Sequence, residues 1–177
     1  MAARLGRAVA RAAALVVLSA VCPAVAAAEE MVFDPAPTES CLAAEPSGLA
    51  SCVGHAADAC MLENEMGETT IGMGFCLSQE WEWWDARLNA AYAALMTAHE
   101  AADAAMKAEG LEAPSVAEAL RAMQRAWIGY RDAACDYERA QWGGGTGGGP
   151  ATAGCLMRLT GEQALALEGR LMMLERQ

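Results

Sequence analysis

Apolar residues recur at helical spacing through the second half of the chain, and polar breaks divide the pattern into three long elements. Trp81, Trp84, Leu88, Tyr92, Leu95 and Ala102 follow one another at steps of three, four or seven and form a single stripe. Alanine, the strongest helix former, fills much of the remainder. The pattern predicts a helix over about 78–109, with Ser78 as N-cap and Glu80 and Glu82 as favourable charges in its first turn. Gly110 and Pro114 end it. Ser115-Val116-Ala117-Glu118 is a capping-box sequence directly after a proline, and it marks the start of a second helix over 115–141. Its predicted buried stripe is Val116, Leu120, Met123, Trp127, Tyr130, Ala134 and Tyr137. A third helix is predicted over 153–175, with Leu156, Leu159, Ala164, Leu167, Leu171 and Leu174 on its apolar side. Three single-striped helices with a short first connection predict an all-α bundle.

The glycine tract Gly143 to Gly149, closed by Pro150, is predicted as a flexible loop. It contains no lysine and so lacks the residue a phosphate-binding loop requires. Upstream of the bundle the pattern is weaker. Residues 29–40, with Pro35 and Pro37, read as a flexible lead-in. Residues 41–76 form a cysteine-rich part of the domain that spans 41–177. Here Ala56 to Met66 predicts a short helix, and Met66 to Phe75, with three glycines, predicts a loop. Few large apolar side chains occur in this part, so disulfides are expected to hold it.

The first 28 residues have the order of a secretory signal peptide. Arg4, Arg7 and Arg11 precede an uncharged apolar run, and Ala26-Ala27-Ala28 offers a small-residue cleavage site. The expected destination is the periplasm or the exterior. Lipid anchoring at Cys22 is disfavoured, because Ser19-Ala20-Val21 is a poor acylation sequence and Pro23 follows directly. No later stretch is apolar enough to predict a membrane span.

Export changes both the charge and the meaning of the cysteines. The leader holds three of the 12 basic residues and none of the 23 acidic ones, so the remaining 149 residues carry a net −14. Such a chain repels nucleic acid and attracts basic proteins. Six cysteines remain: Cys41, Cys52, Cys60, Cys76, Cys135 and Cys155. An even count in an exported chain reads as three disulfides. Cys135 and Cys155 fall at facing ends of successive helices and are the first expected pair. Several connectivities remain open for the other four, with Cys60–Cys76 and Cys41–Cys52 the favoured set. A zinc site is disfavoured, since there is no C-x-x-C pair and only His55 and His99 could assist.

The sequence offers little for catalysis. Neither histidine lies in a nucleophile–base motif, and no metalloprotease or calcium-loop pattern occurs. No cofactor is expected, and a hydrolase is the least favoured class. The most unusual local feature is Trp81, Trp83 and Trp84. On an ideal helix Trp83 points about 100° from Trp84, so it is expected either to anchor a partner or bind a sugar ring, or to cover the disulfide-rich part.

Three segments together resemble a known family. Trp84, Asp85, Leu88, Asn89 and Tyr92 lie in W-x-x-W-D-x-x-L-N-x-x-Y, after Cys76. Gln124, Trp127, Tyr130, Arg131 and Asp132 lie in the second helix before Cys135, and Cys155-Leu156 through Thr160 opens the third. Their order and spacing over about residues 52–174 resemble the exported bacterial lysozyme-inhibitor LprI family. The resemblance implies a periplasmic role and a lysozyme or another basic envelope protein as partner, bound without chemistry. The alternative is a non-catalytic structural or assembly factor of the envelope. The motif residues are expected to be structural, with Trp127 and Tyr130 in the core and Arg131 and Asp132 paired to neighbouring helices, Asp85 included. Gln163 stands where the family often has arginine, and the region 41–60 carries extra cysteines beyond the family's core pattern.

Overall fold

The computed structural model describes residues 30–44 and 49–176. The expected signal peptide, with its expected cleavage near Ala28, and Cys22 lie outside the described residues. The architecture is all-α, with no strand among the described residues: α1 Ala36–Ala44, a 3-10 turn Leu49–Cys52, α2 His55–Glu63, α3 Thr70–Ala108, α4 Val116–Ala140 and α5 Gly148–Glu175. No helix is long and apolar enough to cross a membrane among the described residues.

α3 and α5 pack most extensively, α4 closes against α5, α2 sits on α3, and α1 packs on α2 and the 3-10 turn. Trp84, Leu88, Ala91 and Leu95 of α3 meet Met157, Ala164 and Leu167 of α5 and Ala117 and Leu120 of α4 in one core. Gly161 allows the closest approach: a Cβ there would lie 2.8 Å from the side chain of Val53 and 3.2 Å from that of Trp84.

Three disulfides fasten the helices: Cys41–Cys52 ties α1 to the 3-10 turn, Cys60–Cys76 ties α2 to α3, and Cys135–Cys155 ties α4 to α5. The last closes the connection that holds the glycine tract. Each bridge restricts the unfolded chain, which matters most where few large side chains are buried.

Several boundaries differ from the sequence pattern. α3 begins at Thr70, where the pattern predicts a loop, because the Thr69 hydroxyl caps it by accepting from the Gly72 N–H at 3.1 Å. Gly72 serves close packing: a Cβ there would lie 2.0 Å from the Met66 carbonyl oxygen. Ser78 is therefore an interior residue. Part of the predicted lead-in is the helix α1, in which Thr38 is buried. Pro37 falls in its first turn, where a missing N–H costs no hydrogen bond.

The glycine tract is likewise built into structure. Gly143 and Gly144 adopt positive φ, and the Trp142 indole lies so close to Gly147 that a Cβ would come within 2.1 Å of it. α5 already starts at Gly148, with Pro150 in its first turn. At the other connection Gly110, at φ 71°, terminates α3. Its N–H donates to Lys107 at 3.1 Å and that of Leu111 to Met106 at 3.0 Å, the Schellman arrangement.

α4 starts as expected, with the Ser115 hydroxyl accepting from the Glu118 N–H at 3.0 Å. Its buried face is Ala117, Leu120, Gln124 and Cys135. Val116, Tyr130 and Tyr137, predicted to be core, are exposed. The 4-3 pattern is broader than the face that α5 and α3 can cover.

Candidate binding surface

The disulfide-rich end of the molecule is organised around Glu80. Sequence position makes it look like a first-turn charge, yet it is fully buried eleven positions into α3. Its Oε1 accepts from the Gly54 N–H at 2.8 Å, from the Trp84 indole N–H at 3.0 Å and from the Thr38 hydroxyl at 2.9 Å. Its Oε2 accepts from the Ala57 N–H at 2.7 Å. Thr38 in turn accepts from the Ala56 N–H at 2.9 Å. Gly54 is the N-cap of α2, so Glu80 and Thr38 together satisfy three of the four orphan donors of that helix, those of Gly54, Ala56 and Ala57, from outside it. The positive end of the helix dipole also favours the carboxylate. One side chain thereby locks α1, α2 and α3 into a fixed relation. The missed signal was the true start of α3, which places Glu80 beside Trp84 on the inner face.

Against this frame the N-terminal segment runs along α2. Asn64, the C-cap of α2, accepts from the Val32 N–H at 2.9 Å and donates to the Val32 carbonyl at 2.9 Å. The Asn64 amide also donates to Cys60 O at 2.8 Å. The two segments border an open cleft of about 1170 Å³. Its walls carry Glu30, Asp34, Glu63, Glu65 and Glu68, together with Val32, Leu62 and Met66. These three apolar side chains are 69%, 78% and 49% exposed.

The charge of the chain is concentrated at the same end. Residues 29–86 hold 12 of the 23 acidic residues and no lysine or arginine, whereas residues 87–177 hold 11 acidic and 9 basic. The first segment alone carries −12 and the second −2. This asymmetry is visible in the sequence as a 75-residue stretch, 12–86, without lysine or arginine. Exposed apolar side chains within a rim of one sign form a surface suited to a cationic protein.

The motif residues divide between core and surface. Trp84 is buried on Glu80 and Leu88 is buried beside it. Tyr92 packs at the edge of the core. Asp85 accepts from the Asn89 amide at 2.8 Å on the surface. Gln124 is buried and accepts from the Gln163 amide at 3.1 Å, so Gln163 fills its position with a helix–helix hydrogen bond. Trp127 is half-buried beneath the Arg131 guanidinium, 5.1 Å away. Arg131 pairs with the adjacent Asp132 at 2.8 Å and not with Asp85. Tyr130 is on the surface.

Trp83 is half-buried against the core cluster that includes Cys60 and Cys76. It packs edge-on against Trp84 with ring centres 4.7 Å apart, and Arg87 lies 4.8 Å over its ring. Arg87 also binds Glu168 of α5 through two hydrogen bonds of 2.9 and 2.8 Å. His55 is exposed at the start of α2 and His99 is half-buried on α3. Between α3 and α4, Asp103 accepts from the Ser115 hydroxyl at 2.6 Å and from the N–H groups of Val116 and Ala117 at 3.0 and 3.1 Å. The Ser115 hydroxyl, followed by the two backbone donors, holds the Asp103 carboxyl below its ordinary range.

Fold and surface define a class: a small helical domain, stapled by disulfides, with an acidic cleft at one end. The family described as "Lysozyme inhibitor LprI" matches residues 60–167, and the chain belongs to that family. Two relatives are similar over much of their length. A Rhizobium meliloti (strain 1021) protein, "Uncharacterized protein R02472", is 32% identical over 98 residues, covering 55% of this chain and 70% of its own. A Rhodobacter capsulatus protein, "Uncharacterized 17.7 kDa protein in puhA 5'region", is 29% identical over 134 residues, covering 74% of this chain and 82% of its own. No solved structure matches the chain significantly. The family match begins at Cys60, so α1 and the Cys41–Cys52 bridge lie before it.

Proposed function

We propose that the chain is an exported binding protein whose acidic end captures a basic protein of the cell envelope, a lysozyme in the first instance, and blocks it by occlusion. The observation that carries this reading is the coincidence of the −12 segment with the cleft and its exposed Val32, Leu62 and Met66. A field of one sign accelerates encounter with a cationic enzyme, and apolar anchors slow its release. The disulfides and the Glu80 network support the same reading, since a rigid surface loses little entropy on binding. Three disulfides also fit an oxidising compartment such as the periplasm, in line with the predicted leader. The mechanism needs no reacting group in this chain: the bound domain covers the partner's substrate groove.

The test is lysis of a cell-wall suspension by a basic animal-type lysozyme, with and without the oxidised protein lacking residues 1–28. Loss of lysis that weakens as salt rises supports the proposal. Unimpaired lysis at excess protein, at low salt, rejects lysozyme as the target and favours a structural or assembly role in the envelope.

A further inference from the structure

The three disulfides differ in how well the fold shields them. Cys60 and Cys76 are buried, as are Cys135 and Cys155, and each of these bridges belongs to a buried apolar cluster. In the Cys41–Cys52 bridge only Cys52 is buried, and Cys41 is partly exposed on α1. An external thiolate has to reach one sulfur of a bridge to exchange with it, so access decides which bridge opens first.

The same bridge fastens the helix with the least else to hold it. Of the nine residues of α1 only Thr38 is buried. Its hydroxyl accepts from the Ala56 N–H and donates to Glu80 Oε1, both at 2.9 Å. So short a helix has little stability of its own, and the bridge, Thr38 and the half-buried Leu42 carry its docking. The rest of the fold has other ties. Residues 60–167, matched by the family, contain both buried bridges. Without Thr38, Glu80 still accepts from Gly54, Ala57 and Trp84. Yet α1 matters to the surface, because Ala36, Pro37 and Ser40 form part of the cleft wall.

We infer that Cys41–Cys52 is a reducible latch on the cleft, opened by an external dithiol while the two buried bridges stay intact. A thiolate of the dithiol attacks Cys41 Sγ. A mixed disulfide forms there, and Cys52 departs as a thiolate that takes a proton from water. The second thiolate of the reductant attacks its own partner sulfur in the mixed disulfide, closing a disulfide within the dithiol and releasing Cys41 as a thiolate. Two electrons thus pass from the dithiol to the bridge. Cutting a link between residues 11 apart restores the freedom it had removed, and opening of α1 becomes about 100-fold more frequent. The cleft wall is then intact only in the oxidised protein. Control of partner capture rests on the function proposed above, whereas the latch itself does not.

The test needs no partner protein, so it can fail while the partner reading stands. The oxidised protein lacking residues 1–28 is exposed to graded dithiothreitol without denaturant, quenched, alkylated and mapped by peptide mass spectrometry. Cys41 and Cys52 should be labelled about tenfold faster, or more, than the other four cysteines. Hydrogen exchange of the selectively reduced protein should speed up about 100-fold across residues 36–44 and stay unchanged in the middle of α3 and α5. A Cys41→Ser, Cys52→Ser double variant should show the same loosened α1 with no reductant present, and circular dichroism should show its bundle intact. Earlier or simultaneous opening of Cys60–Cys76 or Cys135–Cys155 overturns the inference. So does an α1 equally protected with its bridge cut, or a double variant whose whole bundle unfolds.

Discussion

Replacing Glu80 should cost this domain more than any other single change at its surface-binding end. In Glu80→Ala the N–H groups of Gly54 and Ala57 and the indole N–H of Trp84 lose their acceptor, and all three lie in buried surroundings. A stranded buried donor costs about 1–3 kcal/mol. Partial relaxation and entry of water bring the sum to about 3–6 kcal/mol. Against a typical stability of about 5–15 kcal/mol, that places the variant near the edge of folding. Glu80→Gln separates the two oxygens. The amide oxygen can serve Gly54 and Trp84, but the NH2 then opposes the Ala57 N–H that Oε2 now accepts at 2.7 Å. One lost bond predicts about 1–3 kcal/mol. Urea unfolding of the oxidised chain at neutral pH, followed by circular dichroism and Trp fluorescence, measures both. The predicted order is wild type, Glu80→Gln, Glu80→Ala. A Glu80→Ala variant within ~1 kcal/mol of wild type would refute the view that this carboxylate holds α1, α2 and α3 together.

Two further predictions concern the long helices. Gly161→Ala forces a methyl against Val53 and Trp84, and it should lower stability by about 1–3 kcal/mol despite the better helix propensity of alanine; thermal unfolding would show a drop of several degrees. Asp103 has its folded pKa depressed below 3.8, chiefly by the Ser115 hydroxyl. A depressed carboxylate stabilises the fold above its unfolded pKa, and that contribution is lost as pH falls through the lower folded value. Asp103→Asn should therefore be less stable than wild type at neutral pH, and the gap should close as pH falls below 3.8; denaturant midpoints measured across the acid range check the sign.

The helices of the bundle were legible because their signals are local. Ser115 caps α4 in the sequence and in the structure, and facing helix ends bring Cys135 to Cys155. The start of α3 was not legible, because the glycines of 67–74 read as loop, whereas Gly72 is demanded by the packing of one turn on another. That displaced boundary also concealed Glu80, whose partners lie on α1 and α2, far away in sequence. Burial of Tyr130 and Tyr137 was misjudged for a related reason. Periodicity reports that a face is apolar, but which neighbour covers it depends on the angle at which α5 and α3 approach. The cleft depends on Val32 meeting Asn64, a contact that no local pattern announces, although the run without lysine or arginine already marked the acidic end.

Salt-dependent binding to a basic animal-type lysozyme, compared between the wild type and a Glu63→Lys, Glu65→Lys double variant, tests the role of the acidic cleft most directly. Titration calorimetry of the oxidised chain should show a complex whose affinity falls steadily with ionic strength, and the charge reversal should weaken it tenfold or more at low salt. Binding that ignores both salt and the two substitutions, or no binding at low salt, would contradict the assignment of this end of the molecule as the partner surface.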